Sequence, residues 1–432
     1  MEEVVLSAGD TAWVLASSAL VLLMTPGLAF FYGGMVRAKS ALNMMMMSMV
    51  SIGVVSILWV IYGFKLAFGY EANSQWYGEI GFSGFESLVN ELTNNGGVYP
   101  IPLLVFATFQ LMFAIITPAL ISGAIADRTK FLSWTLFVAI WVTLVYFPVA
   151  HWVFAFGNKV GDTVTGAGFL AARGVQDFAG GTAVHINAGA AALALTIVLG
   201  RRIGWQKSPM RPHSLPLVLL GAGLLWFGWF GFNAGSALGA NATAGLAFLN
   251  TQVATGGALL GWILTEKLRD GHPTSLGAAS GAVAGLVAIT PACAFVAPWA
   301  AAVIGLIAGV VCALAVGLKY KFGYDDALDV VGVHLVGGVI GSLAIGFFGS
   351  SQVNSVGLDG LFYGGGIDLL GKQALGVALV MAYSFTVTLI IGYLIEKTIG
   401  FRVKEEKELL GVDQTEHAES AYELGGILKG GR

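Results

Sequence analysis

The chain is organised as long apolar stretches separated by short polar connections. A membrane-spanning helix needs about 20 mostly apolar residues, and eleven stretches approach or reach that length. We therefore predict an all-α polytopic membrane protein with eleven transmembrane helices, of which the eighth is short and either tilted or partly re-entrant. The predicted spans are Thr11–Tyr32, Ala41–Leu66, Ile101–Ala126, Leu132–Val153, Gly180–Leu199, Leu215–Gly235, Leu249–Leu264, Ser275–Thr290, Val296–Leu318, Val330–Phe348 and Ala374–Ile395.

The distribution of Lys and Arg predicts the orientation of these spans. Connections after odd-numbered helices and the C-terminal segment carry all but four of the 22 Lys and Arg residues. Because cytoplasmic segments are enriched in Lys and Arg, we expect the N-terminus outside and the C-terminus in the cytoplasm. Residues 1–397 then form a transmembrane domain, and residues 398–432 form a cytoplasmic tail. The four exceptions are Lys65, Lys159, Arg173 and Lys372.

Composition agrees with a helical membrane bundle. Hydrophobic residues make up 56% of the chain and charged residues 11%, and there are 61 glycines. Soluble domains carry about 25% charged residues, and glycine lets helices approach closely in lipid. The net charge of −3 gives no indication of a nucleic-acid partner. Cys293 and Cys312 lie in apolar stretches, so buried packing is expected rather than a disulfide.

Two histidines lie inside predicted helices, where polar side chains mark functional sites. His185 is in the fifth helix and His334 in the tenth. A lone buried histidine is usually structural. Two at matching positions, five helices apart, indicate an inverted five-plus-five repeat with the substrate site near its centre. Neutral imidazoles there can share a hydrogen and line a path. A metal would require further ligands beside them, so we predict no metal and no cofactor.

Aromatic residues form a second group of candidates. Phe109 and Phe113 are four residues apart and share a helix face. Trp229, Phe232 and Ser236 share a face near the outer end of the sixth helix. Such rings often lie in the lipid-facing belt. Neighbouring glycines favour a lining role, in which ring faces attract a cation and the serine hydroxyl accepts a hydrogen bond.

Asp177 stands at the start of the fifth helix, eight residues before His185. Asp is a favoured N-cap because its carboxylate accepts hydrogen bonds from the first free N–H groups. Eight helical residues span roughly 12 Å. We therefore interpret Asp177 as a cap that orders the outer vestibule without touching the solute.

Several motifs together are typical of one family. They are Pro26–Gly34 (PGLAFFYGG), Asp177–Thr182 (DFAGGT), His185, Trp229–Ser236 (WFGFNAGS) and Gly332–His334 (GVH). Over nearly its whole length the sequence resembles the ammonium transporters of the Amt/Mep/Rh superfamily, on the bacterial and archaeal Amt branch.

The resemblance implies a homotrimer with one pore through each protomer, in the cytoplasmic membrane. It also implies selective transport in which ammonium binds at an outer site, loses a proton and passes through an apolar pore. The substrate-binding residues implied are Phe113, Phe154, Trp229, Ser236 and the Ala179 carbonyl, with Phe113 and Phe232 as the gate, His185 and His334 as the pore relay, and Asp177 as the structural acid.

The sequence departs from the family at Phe154, because the family usually has Trp at that place in the outer site. Phe is a weaker cation–π partner than Trp. We therefore expect the affinity of the outer site to differ, while the functional class stays the same.

The tail also resembles the family. The resemblance implies that it contacts the neighbouring subunit and helps a PII-type signal protein to dock, with Glu405, Gly411, Asp413 and Tyr422 as candidate residues. Composition alone instead indicates a solvated, partly disordered segment.

Two other functions remain open from the sequence. One is an ammonium sensor of the same fold that signals through its tail, and the other is a passive channel for a neutral gas. The aromatic residues and Ser236 favour recruitment of a cation over a neutral-gas pore. No motif indicates an enzyme, and no Walker A sequence indicates ATP-driven transport.

Overall fold

The long apolar runs form helices because a helix satisfies its own backbone N–H and C=O groups where lipid offers no partner. The computed structural model describes residues 5–69, 73–93, 99–160 and 163–422. Its helices, numbered in chain order, are α1 Ala8–Met35, α2 Ala38–Phe68, α3 Leu103–Ile125, α4 Phe131–Phe154, α5 Gly181–Leu199, α6 Leu215–Gly235, α7 Ala242–Asp270, α8 Ser275–Ile289, α9 Pro298–Phe322, α10 Val331–Phe348, α11 Asp368–Thr398 and α12 Glu405–Leu410.

Ten of these helices are long and apolar enough to cross a membrane. The all-α polytopic fold is therefore confirmed. The count of eleven spans is not, because α8 has only 15 residues and falls short of a standard span. This is the segment that the sequence predicts to be short.

Helix ends differ most from the prediction in α7 and α11. Both helices extend several residues beyond the predicted Leu249–Leu264 and Ala374–Ile395. At the start of α7, the side chain of Asn241 accepts a hydrogen bond from the Ala244 N–H over 3.0 Å. Hydropathy detects only the apolar part of a helix, so it does not predict the polar turns and caps at the helix ends.

A short hairpin between α4 and α5 was not predicted. Its antiparallel strands are β1 Phe156–Val160 and β2 Thr163–Ala167, with Phe156 opposite Ala167. We call this end of the bundle the hairpin end and the opposite one the tail end.

Glycine allows the closest helix contacts. A Cβ added to Gly231 of α6 would lie 2.6 Å from the Leu20 Cβ on α1, and one added to Gly285 of α8 would lie 2.7 Å from the Ala254 carbonyl oxygen on α7. Real Cβ atoms do not approach that closely, so these crossings require glycine.

Buried charges join several connections at the tail end. The Arg202 guanidinium lies 2.8 Å from an Asp325 carboxylate oxygen and 3.0 Å from Asp127 Oδ2. Arg128 donates to the Asp325 carbonyl over 2.7 Å. Burial raises the pKa of Asp325, but hydrogen bonding to Arg202 and the charges of Arg128 and Arg202 more than offset this and hold it below its usual value. The sequence analysis used Arg128 and Arg202 only to predict the orientation of the spans. In the structure both side chains are buried.

Candidate functional site

Asp177 organises the first turn of α5. Its carboxylate accepts hydrogen bonds from the backbone N–H groups of Gly180, Gly181 and Thr182, each over 2.7 Å, and from Ala183 over 3.2 Å. The Thr182 hydroxyl donates to it as well. An anion at a helix N-terminus satisfies the otherwise free donors. The carboxylate is fully engaged in holding the helix that carries His185.

The start of α10 repeats this arrangement. The Asp326 carboxylate accepts from the N–H groups of Val330 and Val331 over 3.1 and 2.7 Å. Asp326 precedes His334 by eight residues, as Asp177 precedes His185. Burial raises the pKa of Asp326 to about 6. The sequence analysis missed Asp326, although the equal spacing within the two repeats was a signal that would have found it.

The two histidines meet inside the bundle. Each lies in a π-helical turn, Gly181–Ile186 in α5 and Val331–Leu335 in α10, and such turns are frequent at functional sites. His185 and His334 are 1% and 3% exposed, and their Nδ1 atoms are 3.3 Å apart. One of these nitrogens must donate and the other accept, so the pair shares a single hydrogen. The Nε2 atom of His185 is buried and has no hydrogen-bond partner within the described chain.

Aromatic rings continue the line of the histidines towards the hairpin end. The rings of Phe113 and Phe232 lie 4.2 Å apart between centroids, tilted by 40°. Phe232 in turn lies 6.0 Å from the His185 ring, and His185 lies 5.3 Å from His334. Phe113, Phe232 and the histidine pair therefore form one continuous column of rings.

A cavity of about 370 Å³ opens above this column at the hairpin end. We call it the hairpin-end cavity, and Phe113 forms part of its wall together with Phe154, Asp177 and Ser236. The Ser236 hydroxyl donates to the Phe232 carbonyl over 2.8 Å. Its hydrogen is thereby used, so its oxygen remains as an acceptor at the cavity wall.

Two residues implied for substrate binding, Trp229 and Ala179, are not among the residues that line this cavity. Trp229 is absent from the cavity wall and instead lies against the His185 ring, 5.4 Å between centroids, while its indole N–H donates to the Thr290 hydroxyl over 2.8 Å. Ala179 is buried between the cavity residue Phe178 and the first turn of α5. Among the implied binding residues, the cavity brings together Phe113, Phe154 and Ser236.

On the tail side of the histidines the space narrows sharply. His334, Tyr32 and Asp329 border a cavity of about 10 Å³, which is barely enough for one water molecule. The Lys319 ammonium lies 2.6 Å from the Asp329 carboxylate. The described residues therefore leave a wide cavity on the hairpin side of the histidine pair and a very narrow one on its tail side.

The tail is folded against the chain's own connections through residue 422; residues 423–432 lie outside the described ranges. The Asp413 carboxylate accepts from the N–H groups of Leu42 and Asn43 near the start of α2, over 3.0 and 2.8 Å. Tyr422 contacts the His213 ring nitrogen over 2.8 Å.

Two other tail candidates behave differently from each other. Gly411 has a positive φ of 121°, and an added Cβ would lie 2.9 Å from the Lys39 Cβ, so this position requires glycine. Glu405 is exposed in the first turn of α12. Residues 398–422 of the tail are therefore ordered against the chain, whereas composition alone indicates a solvated, partly disordered segment.

Comparison with known proteins gives one consistent result. The model of the Ammonium Transporter Family matches residues 12–422. An ammonium transporter of Mycobacterium tuberculosis is 56% identical, with 96% of this chain and 90% of the relative covered. The solved structure of Saccharomyces cerevisiae Mep2 is similar with a TM-score of 0.83 at 33% identity, covering 93% of this chain and 91% of that one. A solved structure named Sensor Amt Protein is similar with a TM-score of 0.84 at 31% identity, covering 95% and 98%.

Proposed function

The chain belongs to the ammonium transporter family, and from that membership we propose that it moves ammonium by recruiting NH4+ in the hairpin-end cavity, deprotonating it and passing ammonia along the histidine pair. The observation that carries this proposal is the 3.3 Å contact between the Nδ1 atoms of His185 and His334 beneath the rings of Phe113 and Phe232. A cavity that receives the ion, a pair of rings that forms a gate and a pair of imidazoles that accepts a proton lie in one line, as the proposed mechanism requires.

Recruitment uses the cavity wall. The Ser236 oxygen accepts one N–H of ammonium, and the faces of Phe113 and Phe154 attract its charge. Below this point the walls are aromatic. A bare ion would lose its hydration there at a cost of several kcal/mol even after relaxation. Releasing a proton avoids much of that cost, so neutral ammonia passes the gate.

The histidine pair supplies the route for the proton. One N–H bond of ammonium breaks, and the proton is taken up on the lone pair of an imidazole nitrogen such as the unpaired His185 Nε2. Transfer of the hydrogen shared between the two Nδ1 atoms moves the charge to His334. Release from His334 Nε2 and capture by ammonia at the tail end restore ammonium.

The family and the charge distribution support a proposal for the surroundings of the protomer. We place the chain in the cell membrane as a homotrimer, with the hairpin end and the N-terminus outside and the tail in the cytoplasm. A PII-type signal protein is the proposed partner of that cytoplasmic face. The excess of Lys and Arg on connections at the tail end supports this orientation.

A sensor role is the second candidate. It is favoured by the docked tail, in which Asp413 holds the start of α2, and by the similarity to a protein named Sensor Amt Protein. A passive neutral-gas channel is less well supported. The free acceptor on Ser236 and the two ring faces beside it suit a cation with N–H donors, whereas a neutral gas does not require them.

Current measurement on a solid-supported membrane tests the proposal. Liposomes holding the purified full-length protein are given an ammonium concentration jump, and we expect a saturable current that potassium at the same concentration does not produce. Empty liposomes are the control. A folded protein that gives no ammonium flux, by current or by internal pH change, would contradict transport and leave the sensor role.

A further inference from the structure

Gln110 is a polar side chain in the wall of the hairpin-end cavity that the family resemblance does not assign. It lies on α3, three residues before Phe113, so both side chains are on the same part of the helix surface. Gln110 is half-buried, and its amide makes no hydrogen bond with any residue that the structure describes. A half-buried amide without a protein partner in a cavity wall is available to a solute.

The other amide and carboxylate side chains of the wall, Gln176 and Asp177, are already engaged. The side chain of Gln176 donates to the Val356 carbonyl over 3.1 Å and accepts from the Leu358 N–H over 3.3 Å. The Asp177 carboxylate is used by the first turn of α5. Among the amide and carboxylate side chains of this wall, within the described residues, Gln110 is the one left free.

Ammonium offers more donors than the implied site can accept. The ion has four N–H groups, whereas Ser236 provides one free acceptor and the phenyl faces of Phe113 and Phe154 provide weaker cation–π contacts. An amide oxygen is a full hydrogen-bond acceptor for a charged donor, and such bonds are stronger than neutral ones.

We propose that Gln110 is a specificity-determining residue of the outer site, where its Oε1 accepts a second hydrogen bond from ammonium. This acceptor offsets the weaker ring at position 154. The inference rests on the proposed function, because it assumes that ammonium enters this cavity.

The test compares two substitutions at the same position in the full-length protein. Gln110→Leu removes the acceptor and keeps the volume, so the half-saturating ammonium concentration should rise about fivefold or more. A hydrogen bond to a charged group changes affinity by more than this factor, and a water molecule that replaces the amide would recover part of the difference. Gln110→Glu places a negative charge there, so the half-saturating concentration should fall. Maximal current should stay within about a factor of two for both, because the residue lies above the gate.

A matched control uses a glutamine away from the path. The Gln252 side chain accepts from the Trp226 indole at an exposed face of α7, so Gln252→Leu should leave the half-saturating concentration unchanged. If Gln110 had a purely structural role, both variants would raise the half-saturating concentration. Contact with the ion instead predicts a rise for Gln110→Leu and a fall for Gln110→Glu. If Gln110→Leu does not fold, Gln110→Met carries the same expectation.

The outcomes separate the two proposals. A wild-type protein without ammonium flux contradicts the proposed function itself. Wild-type current with an unchanged half-saturating concentration in Gln110→Leu, or with a rise in Gln110→Glu, overturns the role of Gln110 and leaves the transport proposal standing.

Discussion

At the scale of single residues, the proposal predicts that the wall of the hairpin-end cavity sets the affinity for a cation. Phe154 stands in that wall where the family usually has Trp. Because the indole ring is the stronger cation–π partner, Phe154→Trp should lower the half-saturating ammonium concentration about threefold, which corresponds to the ~0.5–1 kcal/mol of an accessible cation–π contact.

The control for this prediction is Phe248→Trp, which changes a ring stacked on Phe230 at an exposed face, 4.0 Å between centroids. It should leave the current unchanged. Concentration-dependent currents give both values. An unchanged or higher half-saturating concentration in Phe154→Trp would remove Phe154 from the site.

Residue types and spacing predicted part of this site, and three-dimensional placement supplied the rest. Ser236, Phe113 and the two histidines were predicted from helix faces and matching positions. The hydrogen bond that the Trp229 indole N–H donates to Thr290 was not predicted, because Thr290 lies on a distant chain segment after α8. Gln110 was missed since only the structure shows which polar groups of the wall already have partners.

At the scale of elements, the first turns of α5 and α10 set the histidines in place. Asp177→Ala would leave several N–H groups of α5 without a partner. We expect a loss of stability of about 2–4 kcal/mol, from the loss of a helix cap and of bonds to a charged acceptor.

Thermal unfolding in detergent measures this effect, with the midpoint falling by several degrees. The matched control is Asp368→Ala, which removes an exposed acid from the first turn of α11, where it pairs with Lys372. That change should shift the midpoint little. Equal midpoints for the two variants would show that Asp177 does not hold α5.

The tail is an element whose order depends on a few contacts. Asp413→Ala removes the acceptor for the Leu42 and Asn43 N–H groups, so limited proteolysis should cut the tail faster, and transport or PII binding should fall. Glu405→Ala changes an exposed residue and should leave the rate of tail proteolysis unchanged. Protection equal to wild type in Asp413→Ala would mean that other contacts hold the tail.

Hydropathy predicted the elements well but not their ends or their local form. The apolar runs gave the spans, because the lipid constraint acts on every residue of a run. The π-helical turns around His185 and His334 leave no hydropathy signal, since they arise from backbone bonding near the capped starts of α5 and α10. The hairpin and the ordered part of the tail depend on contacts between residues that are distant in sequence, and composition contains no information about such contacts.

At the scale of the whole molecule, the two halves carry the same arrangement of an acid and a histidine, and they meet at the histidine pair. Asp177 with His185, and Asp326 with His334, place an acid and an imidazole at equal spacing in helices five apart. This agrees with an inverted repeat whose halves contribute equally to the centre of the path. The wide cavity lies on one side of that centre and the narrow one on the other.

The buried charges at the tail end hold these halves together. Arg202 follows α5, and Asp325 precedes α10, so their ion pair joins the connections next to the two histidine-bearing helices. Removing one partner of a buried pair leaves an uncompensated charge. The molecule is therefore built so that the relative position of the histidines depends on polar contacts at both of its ends.

The central claim is that the histidine pair carries the proton that ammonium gives up. The most direct measurement is the current of the His185→Leu/His334→Leu double variant in liposomes, after ammonium and potassium jumps, beside wild type and each single variant. His272→Leu, at an exposed connection, is the control and should behave as wild type.

Without the shared Nδ1 hydrogen there is no relay, so ammonium current should vanish in the double variant. Single substitutions should relax selectivity and admit potassium. Ammonium current that survives in a folded double variant, with potassium still excluded, would contradict the relay and leave selectivity to the gate formed by Phe113 and Phe232.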